Sequence, residues 1–245
     1  MKKQSADRVY GLSAALAAFK QRPERVVSIA HTRAVRHELA DMLREAARRR
    51  ISYREVDDEA LAQLADSVHH EGVCLLVRPQ PAVELGDLVE SIEDAGLILA
   101  LDDVQNPHNL GAVLRSAAYF GARGLIVAAD MKLTASARRI AEGGAEHVPI
   151  VRVEGLPFAL RQLAARDFVV IGADTRARIE LGGLRWPARA VLVLGHERTG
   201  LGEPVRKACT TLVRIAGTDA VDSLNVSVAA GVLLSSYAQQ YGWES

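Results

Sequence analysis

Polar residues that could bind a ligand or take part in catalysis are concentrated in three short segments of the chain. Residues 102–109, 195–200 and 216–225 are rich in Gly, Asn, Asp, Ser and Glu, and each follows a predicted apolar strand. In open α/β sheets, ligands bind in the loops beyond the carboxyl ends of the strands. Each segment alone is also explained as a turn with a helix cap, with Asn109 and Ser223 as the N-cap candidates. The segments therefore predict either one shared ligand site or three ordinary connections.

The elements that must position these loops alternate between apolar strands and helices. Strands are predicted at residues 97–101, 124–128, 148–151, 168–172, 190–194 and 211–215. Helices are predicted at residues 110–120, 136–142, 156–165 and 224–240. Continuous apolar strands that alternate with helices are typical of a parallel sheet covered on both faces. We therefore predict an α/β domain over residues 91–245.

A smaller α/β unit is predicted at residues 1–78. Helices are expected at 12–20, 33–50 and 58–64, and strands at 25–30, 51–56 and 72–77. The apolar residues of 33–50 recur with a period near 3.6, which indicates an amphipathic helix. Pro79 and Pro81 then end the unit, because each proline removes a backbone donor and disfavours helix before it. Residues 79–90 are accordingly predicted to be a linker.

Charge is distributed unevenly along a chain of 245 residues whose 30 basic and 30 acidic side chains cancel. Residues 1–54 carry 13 basic and 5 acidic side chains, residues 55–106 carry 1 and 13, and residues 107–245 carry 16 and 12. Arginine supplies 25 of the basic residues. Its planar fork matches phosphate, although codon composition alone can give the same excess. The basic first segment fits a nucleic-acid partner held through phosphate contacts, which salt weakens.

The remaining composition favours a reduced, cytoplasmic protein with no membrane contact. No apolar run approaches the roughly 18 residues that span a bilayer, and the basic start of the chain has no apolar stretch after it to make a signal peptide. Cys74 and Cys209 are far apart and show no metal-ligand spacing. His69 and His70 lack the helical spacing of metal ligands and are interpreted as structural. No metal site is predicted.

Several common cofactor and catalytic motifs are absent. No G-x-G-x-x-G follows a strand, since the third glycine is missing after Gly200 and Gly202. Neither a Walker-type phosphate loop nor a G-x-S-x-G nucleophile elbow occurs. These absences disfavour a nucleotide-dependent oxidoreductase on a Rossmann fold, which was one alternative for an α/β protein of this size.

Taken together and in order, the three loops resemble the signature motifs of the SpoU/TrmH branch of the SPOUT RNA 2′-O-methyltransferases. The motifs are residues 109–115, 194–201 and 223–231, and residues 141–149 resemble the stretch that the family has between the first two. The resemblance covers about residues 97–242. The first 78 residues are similar in pattern to the family's ribosomal-protein-like substrate-binding domain. Residues 69–74 together with 142–147 look most like a poorly characterised bacterial tRNA/rRNA methyltransferase subgroup.

The resemblance implies methyl transfer from S-adenosylmethionine to a ribose 2′-hydroxyl in structured RNA, either tRNA or rRNA. It also implies a deep trefoil knot in the C-terminal domain and a homodimer formed through that domain. The residues implied in catalysis are Arg115, Asn109, Glu197, Ser223 and Asn225. Those implied in cofactor binding are Gly195, Ile215 and Leu224. Arg115 is expected to position the ribose and help to activate its hydroxyl, within a polar frame made by the other four.

One departure from the family pattern concerns the loop after Ile215. Family members commonly have a proline there, whereas Ala216 and Gly217 follow in this chain, which predicts a looser loop and altered cofactor affinity. The alternative to an enzyme is a non-catalytic RNA-binding or assembly factor that retains the fold. The presence of all five implied catalytic residues argues against that alternative.

Overall fold

The computed structural model describes residues 6–218 and 220–242. Asp219, which belongs to the third polar loop, lies outside the described residues. The chain forms two compact units, and each is described by itself. The first unit consists of Met1–Pro81 and Leu133–His147, and the second of Ala82–Lys132 and Val148–Ser245.

Strands and helices alternate along most of the described chain. In chain order the strands are β1 (Asp7–Tyr10), β2 (Val26–His31), β3 (Ser52–Glu55), β4 (Val73–Val77), β5 (Gly96–Asp102), β6 (Gly124–Ala128), β7 (Ile150–Val153), β8 (Val169–Ala173), β9 (Ile179–Glu180), β10 (Arg189–Gly195) and β11 (Thr211–Arg214). The helices are α1 (Leu12–Gln21), α2 (Ala40–Arg48), α3 (Asp58–Ala65), α4 (Leu85–Glu90), α5 (Pro107–Tyr119), α6 (Ala135–Ile140), α7 (Gly144–His147), α8 (Leu156–Ala164), α9 (Glu203–Ala208) and α10 (Val226–Tyr241).

The first unit is built on a four-stranded sheet in the order β1-β4-β2-β3. Only β2 and β3 pair in parallel, and β3 lies at an edge. Apolar residues of α1 and α2 form one core with the sheet, and α3 contributes Leu61 to a second, smaller cluster. The predicted helix 33–50 is shorter than expected, because residues 34–39 form successive turns and only Ala40–Arg48 is helical. The strand β1 was not predicted.

Residues 133–147, which the sequence assigned to the second domain, pack on the first unit. Glu146 lies between two arginines, with its Oε2 2.6 Å from Nε of Arg22 and its Oε1 3.3 Å from Nη1 of Arg138. The side chains of Arg22 and Glu146 are only 3% and 2% exposed. Gly143 permits the close approach, since a Cβ there would lie 2.6 Å from Cβ of Ala17 on α1. A buried ion pair therefore joins this segment to the first unit.

The second unit contains a seven-stranded sheet in the order β7-β6-β5-β10-β8-β11-β9. All of its strand pairs are parallel. Residues 96–101 of β5 are buried without alternation, as expected for a strand covered on both faces. Side chains of α4, α8 and α9 pack into one core cluster with the sheet, and α5 packs against α10. The predicted α/β fold with a parallel sheet is therefore confirmed.

The connection between the two sheets contains an element that the sequence did not predict. Helix α4 occupies the second half of residues 79–90, which were predicted to be a linker, and its Leu88 and Val89 are buried in the core of the second unit. Among the described residues, no helix combines the length and apolar character needed to cross a membrane.

Candidate active site

The first two polar loops begin side by side at the carboxyl edge of the second sheet. Strands β5 and β10 are neighbours, and their last residues, Asp102 and Gly195, are partners in the register. The third loop leaves β11, which is separated from β10 only by β8. The order of the strands thus brings three loops that are distant in sequence to one edge of the sheet. This is the edge at which open α/β sheets bind their ligands.

The first loop ends in helix α5, which starts earlier than predicted. The helix begins at Pro107, and Asn106 is its N-cap, with Oδ1 accepting a hydrogen bond from the backbone N–H of His108 at 2.9 Å. Proline suits the first helical position because its missing N–H has no intrahelical partner there. The prediction of Asn109 as the N-cap is therefore wrong. Asn109 lies inside the first turn, where its side chain is directed to other partners.

Asn109 joins the three loops through hydrogen bonds. Its Nδ2 donates to Oε1 of Glu197 at 2.5 Å, and its Oδ1 accepts from Nδ2 of Asn225 at 3.0 Å. Asn109 is only 8% exposed, so both partners satisfy a largely buried amide. These three residues come from the first, second and third loops respectively. A carboxylate and two amides are thereby held in one cluster with fixed orientation.

The second loop folds back on itself beside this cluster. The backbone groups of His196 and Gly200 exchange two hydrogen bonds, of 3.1 and 2.8 Å, and Nδ1 of His196 accepts from the N–H of Arg198. Gly200 has a φ of 71°, which favours glycine. A Cβ on Gly195 would lie 2.3 Å from the carbonyl carbon of Gly200. Glycine at 195 is thus required by the loop's own backbone, before any ligand is considered.

The third loop leads from β11 into α10. Asn225 is the N-cap of α10, since its Oδ1 accepts from the N–H of Ser227 at 2.9 Å. The prediction of Ser223 as the cap is therefore wrong, because the helix begins two residues later than predicted. Ser223 and Leu224 are exposed in the preceding loop, and Leu224 is 44% exposed. The side chain of Asn225 therefore both caps α10 and holds Asn109.

The structure brings some of the predicted site residues into direct contact and leaves others nearby on the same elements. Asn109, Glu197 and Asn225 share hydrogen bonds, whereas Arg115 is exposed on α5, less than two turns beyond Asn109. Gly195 ends β10. Ile215 directly follows β11 and, with Ala216, lines an open cavity of about 590 Å³ that also includes Leu181, Gly231 and Ser235.

Two carboxylates at the same edge of the sheet were missed as site residues. Asp102 accepts a hydrogen bond at Oδ2 from the N–H of Gly202 at 2.6 Å. Asp174, at the end of β8, is 6% exposed and forms ion pairs with Arg206 and Arg176. Each is the first acidic residue after an apolar run in the sequence, and that position is the sequence signal that could have identified both.

The cysteines of the described chain are not activated as nucleophiles. Burial, together with the carboxylates of Asp102 and Asp174 and against the opposing effect of Arg206, raises the pKa of the Cys209 thiol to about 11. Burial likewise raises the pKa of Cys74 to about 11. Both thiols are free and neutral near pH 7. Within the described residues, no group of three or more His, Cys, Asp or Glu side chains is arranged to hold a metal ion.

The fold and the three-loop cluster define an α/β protein in which hydrogen-bonded polar loops lie beyond the carboxyl ends of parallel strands. Residues 96–235 match the SpoU rRNA Methylase family, and residues 8–83 match the domain described as RNA 2′-O ribose methyltransferase substrate binding. The chain belongs to the SpoU methylase family, as the sequence motifs predicted.

Similar proteins extend this assignment over most of the chain. It is 35% identical over 243 residues to YfiF of Escherichia coli O157:H7, described as an uncharacterized tRNA/rRNA methyltransferase, covering 98% of this chain and 70% of that one. It is 38% identical over 207 residues to the 23S rRNA (guanosine-2′-O-)-methyltransferase RlmB of Xylella fastidiosa strain 9a5c, covering 82% and 83%.

A solved structure shows the same fold. The SpoU methyltransferase AviRb from Streptomyces viridochromogenes, crystallised with its cofactor AdoMet, superimposes with a TM-score of 0.80 at 23% identity. The superposition covers 97% of this chain and 91% of AviRb.

Proposed function

We propose that this protein transfers a methyl group from S-adenosylmethionine to the 2′-hydroxyl of a ribose in tRNA or rRNA. The observation that carries the proposal is the hydrogen-bonded cluster of Asn109, Glu197 and Asn225, which joins the three motif loops in a chain of the SpoU methylase family. The family depends on S-adenosylmethionine, and the relatives named for an activity are RNA methyltransferases.

The loops at the carboxyl edge fit the adenosine part of this cofactor. Ile215 borders an open cavity, and Leu224 exposes nearly half of its surface in the loop before α10. When an adenine covers an aliphatic side chain of this kind, apolar surface is removed from water, and this favours binding. The second loop, which begins at Gly195 and is joined to the third through Asn109, would offer backbone groups to the same ligand. Gly195, Ile215 and Leu224 would therefore hold the adenosine. The third loop is uncrowded at Gly217, since a Cβ there would have no heavy atom within 4 Å apart from those of the adjacent residues.

Arg115 would act on the hydroxyl that receives the methyl group. A guanidinium resists deprotonation, so Arg115 does not serve as a general base. A cation beside the developing alkoxide lowers the pKa of the hydroxyl and stabilises the transition state. The cofactor supplies an electrophilic methyl group. Asn109, Glu197, Ser223 and Asn225 would orient the ribose for in-line attack, and such alignment supplies much of the acceleration in reactions of this type.

The first unit would hold the RNA through its basic residues. Residues 1–54 contain 13 basic and 5 acidic side chains. Arg33, Arg50 and Arg54 are exposed, and Tyr53 is exposed on the edge strand β3, where its ring could stack on an unpaired base. The match of residues 8–83 to a substrate-binding domain supports this assignment.

Three further properties complete the proposal. The C-terminal segment forms a deep trefoil knot, which is supported by the sheet order, since β10 is inserted between the earlier strands β5 and β8. The protein acts as a homodimer through the second unit, supported by Val228 and Val232, which expose apolar surface on α10. A cytoplasmic location is supported by two free cysteines.

The experiment that tests the proposal separates cofactor binding from catalysis. Calorimetry measures the binding of S-adenosylmethionine, and transfer of a tritiated methyl group to RNA measures turnover. Arg115→Ala is expected to abolish transfer and to leave cofactor affinity nearly unchanged. The matched control is Arg161→Ala, which removes an exposed arginine from α8, a helix on the core cluster with α4 and α9. A protein that binds RNA but never transfers the label is the non-catalytic factor instead.

A further inference from the structure

The second loop is tied to the first at two points, one of which has no role in the proposal above. Asn109 donates to Glu197 near the start of the loop, and Asp102 accepts from the N–H of Gly202 where the loop ends. Asp102 also lies directly opposite Gly195 in the register of β5 and β10. Gly195, where the loop begins, and Gly202, two residues after the loop, are therefore both placed against Asp102, at the two ends of the segment 195–202.

The helix that follows the loop is held by a second carboxylate. Gly202 is the N-cap of α9, and Arg206 on the same helix forms an ion pair with Asp174. Strand β10 lies between β5 and β8, so the loop leaves the sheet between the two strand ends that carry Asp102 and Asp174. Asp102 and Asp174 thus hold α9 from its two sides. Since α9 directly follows the loop, its position determines the conformation that the loop can take.

The contact between Asp102 and Gly202 is tight and suited to a charged acceptor. The distance of 2.6 Å is short for a hydrogen bond from a backbone N–H. A Cβ on residue 202 would lie 3.2 Å from Oδ2 of Asp102, so glycine is the residue that leaves the carboxylate most room. The N-cap N–H of a helix also has no intrahelical partner, and a carboxylate is its favoured acceptor.

We infer that Asp102 is a positioning residue that holds the loop 195–202 closed, in the conformation that presents Glu197 to Asn109 and the loop backbone to the cofactor. The inference rests on the proposed function only for the identity of the ligand as S-adenosylmethionine. Asp102 itself does not touch the reacting atoms. Its loss lets the loop open, so cofactor affinity falls while the turnover of the bound complex is largely kept.

Substitutions of Asp102 test the hydrogen bond and its charge separately. Asp102→Ala is expected to raise the dissociation constant of S-adenosylmethionine about tenfold, since hydrogen bonds to charged groups account for about one to two orders of magnitude in an equilibrium constant. Asp102→Asn keeps an oxygen acceptor and is expected to stay within about threefold of the wild type. With saturating cofactor, kcat of both variants remains within about threefold. The matched control is Asp130→Ala, an exposed aspartate that follows the parallel strand β6.

The donor side of the same bond provides an independent test. Gly202 has a φ of −60°, close to the value that proline imposes, so Gly202→Pro removes the N–H without forcing that angle, and its ring, which meets the Asp102 carboxylate in the wild type, is free of that contact in the Asp102→Ala background. Gly202→Pro is expected to weaken cofactor binding about tenfold when Asp102 is present and to change it less than twofold in the Asp102→Ala background. Additive effects in this double-mutant cycle would overturn the proposal. So would a dissociation constant that Asp102→Ala leaves unchanged, or one that Asp102→Asn raises as much as Asp102→Ala does.

The outcomes also distinguish this inference from the proposed function. If the wild type binds no S-adenosylmethionine, the proposed function fails. If the wild type binds it and Asp102→Ala binds equally well, only the role of Asp102 fails. Should Asp102→Ala not fold, as judged by its thermal transition without ligand, Gly202→Pro alone decides, and an unchanged dissociation constant for that variant overturns the role.

Discussion

The replacement Asn109→Asp tests whether the hydrogen bonds of Asn109 hold the three loops together. The two side chains have nearly the same shape, so the change alters the donor and the charge and little else. Asn225 can still donate to residue 109, but the carboxylate of Glu197 loses its donor and faces a second carboxylate across a distance that is 2.5 Å in the wild type. We therefore expect a loss of stability that depends on pH.

The magnitude follows from two terms. Loss of a hydrogen bond to a charged acceptor costs about 1.5–3 kcal/mol. Repulsion of two carboxylates about 4 Å apart adds between about 1 and 4 kcal/mol, depending on how far water screens the pair. The new carboxylate lies in the first turn of α5, where its attraction to the helix dipole offsets less than about 1 kcal/mol of this loss. Because Glu197 is only half-buried and can turn away, a net loss of about 2–4 kcal/mol is expected at pH 7.5.

The loss should shrink as the pH falls. Two carboxylates in contact raise the pKa of one of them, so that a single proton can be shared and the lost donor restored. At pH 5.5 the destabilisation is expected to be at least about 1 kcal/mol smaller than at pH 7.5. Urea unfolding, followed by tryptophan fluorescence, measures both values. The fluorescence reports on the second unit, because Trp186 is buried there and no tryptophan occurs in residues 1–81 or 133–147.

The matched control is Asn106→Asp, three residues earlier on the same helix. Asp and Asn are equally good N-caps, and the carboxylate favours the helix N-terminus, so this variant should differ from the wild type by less than about 0.5 kcal/mol. The reasoning is refuted if Asn109→Asp unfolds like Asn106→Asp at pH 7.5, or if its stability is the same at pH 5.5.

Three further predictions concern other parts of the molecule. Glu146→Gln removes the carboxylate that pairs with the buried Arg22 and should destabilise the first unit by about 3–5 kcal/mol in urea unfolding followed by circular dichroism, since breaking a buried ion pair has such a cost. Gly195→Ala should weaken cofactor binding at least about tenfold in calorimetry, because its Cβ collides with the loop backbone, whereas Gly217→Ala, which has open space, should not. The raised pKa values of Cys74 and Cys209 predict slow alkylation by iodoacetamide at pH 8 in the native protein and rapid alkylation in urea. The contribution of the two buried neutral thiols to the free energy of unfolding is complete below pH 9 and is lost as the pH rises through about 11.

The parallel sheet could be predicted from the sequence because its strands are buried on both faces. Such strands are continuous apolar runs, and β6 was predicted with the bounds that the structure has, Gly124–Ala128. Elements that depend on tertiary pairing were missed. Strand β1 exists because it pairs with β4, and β9 is only two residues long and pairs with β11. Neither carries a periodic pattern long enough to be recognised.

The candidate site could be predicted only as a set of residues, and its connections could not. The family motifs identified Asn109, Glu197 and Asn225, but which of them bond to which depends on the order of strands at the edge of the sheet. The contacts of Asp102 and Asp174 depend on strand order in the same way, since their partners, the N-cap of α9 and a residue within that helix, are 100 and 32 residues away in sequence. An isolated acidic residue after a strand has no spacing that would reveal such a partner.

The most direct test of the central claim uses the chemistry of the methylated ribose. Ribosomal and transfer RNA from cells that lack the protein is incubated with purified protein and S-adenosylmethionine that carries a tritiated methyl group, and the RNA is then hydrolysed with alkali. Alkaline cleavage needs a free 2′-hydroxyl, so a 2′-O-methylated nucleotide remains in a dinucleotide, which also maps the modified site. The wild type should place the label in alkali-resistant dinucleotides of one RNA, and Arg115→Ala should not. Label found only in mononucleotides, or no label with a wild type that binds the cofactor, would contradict the assignment.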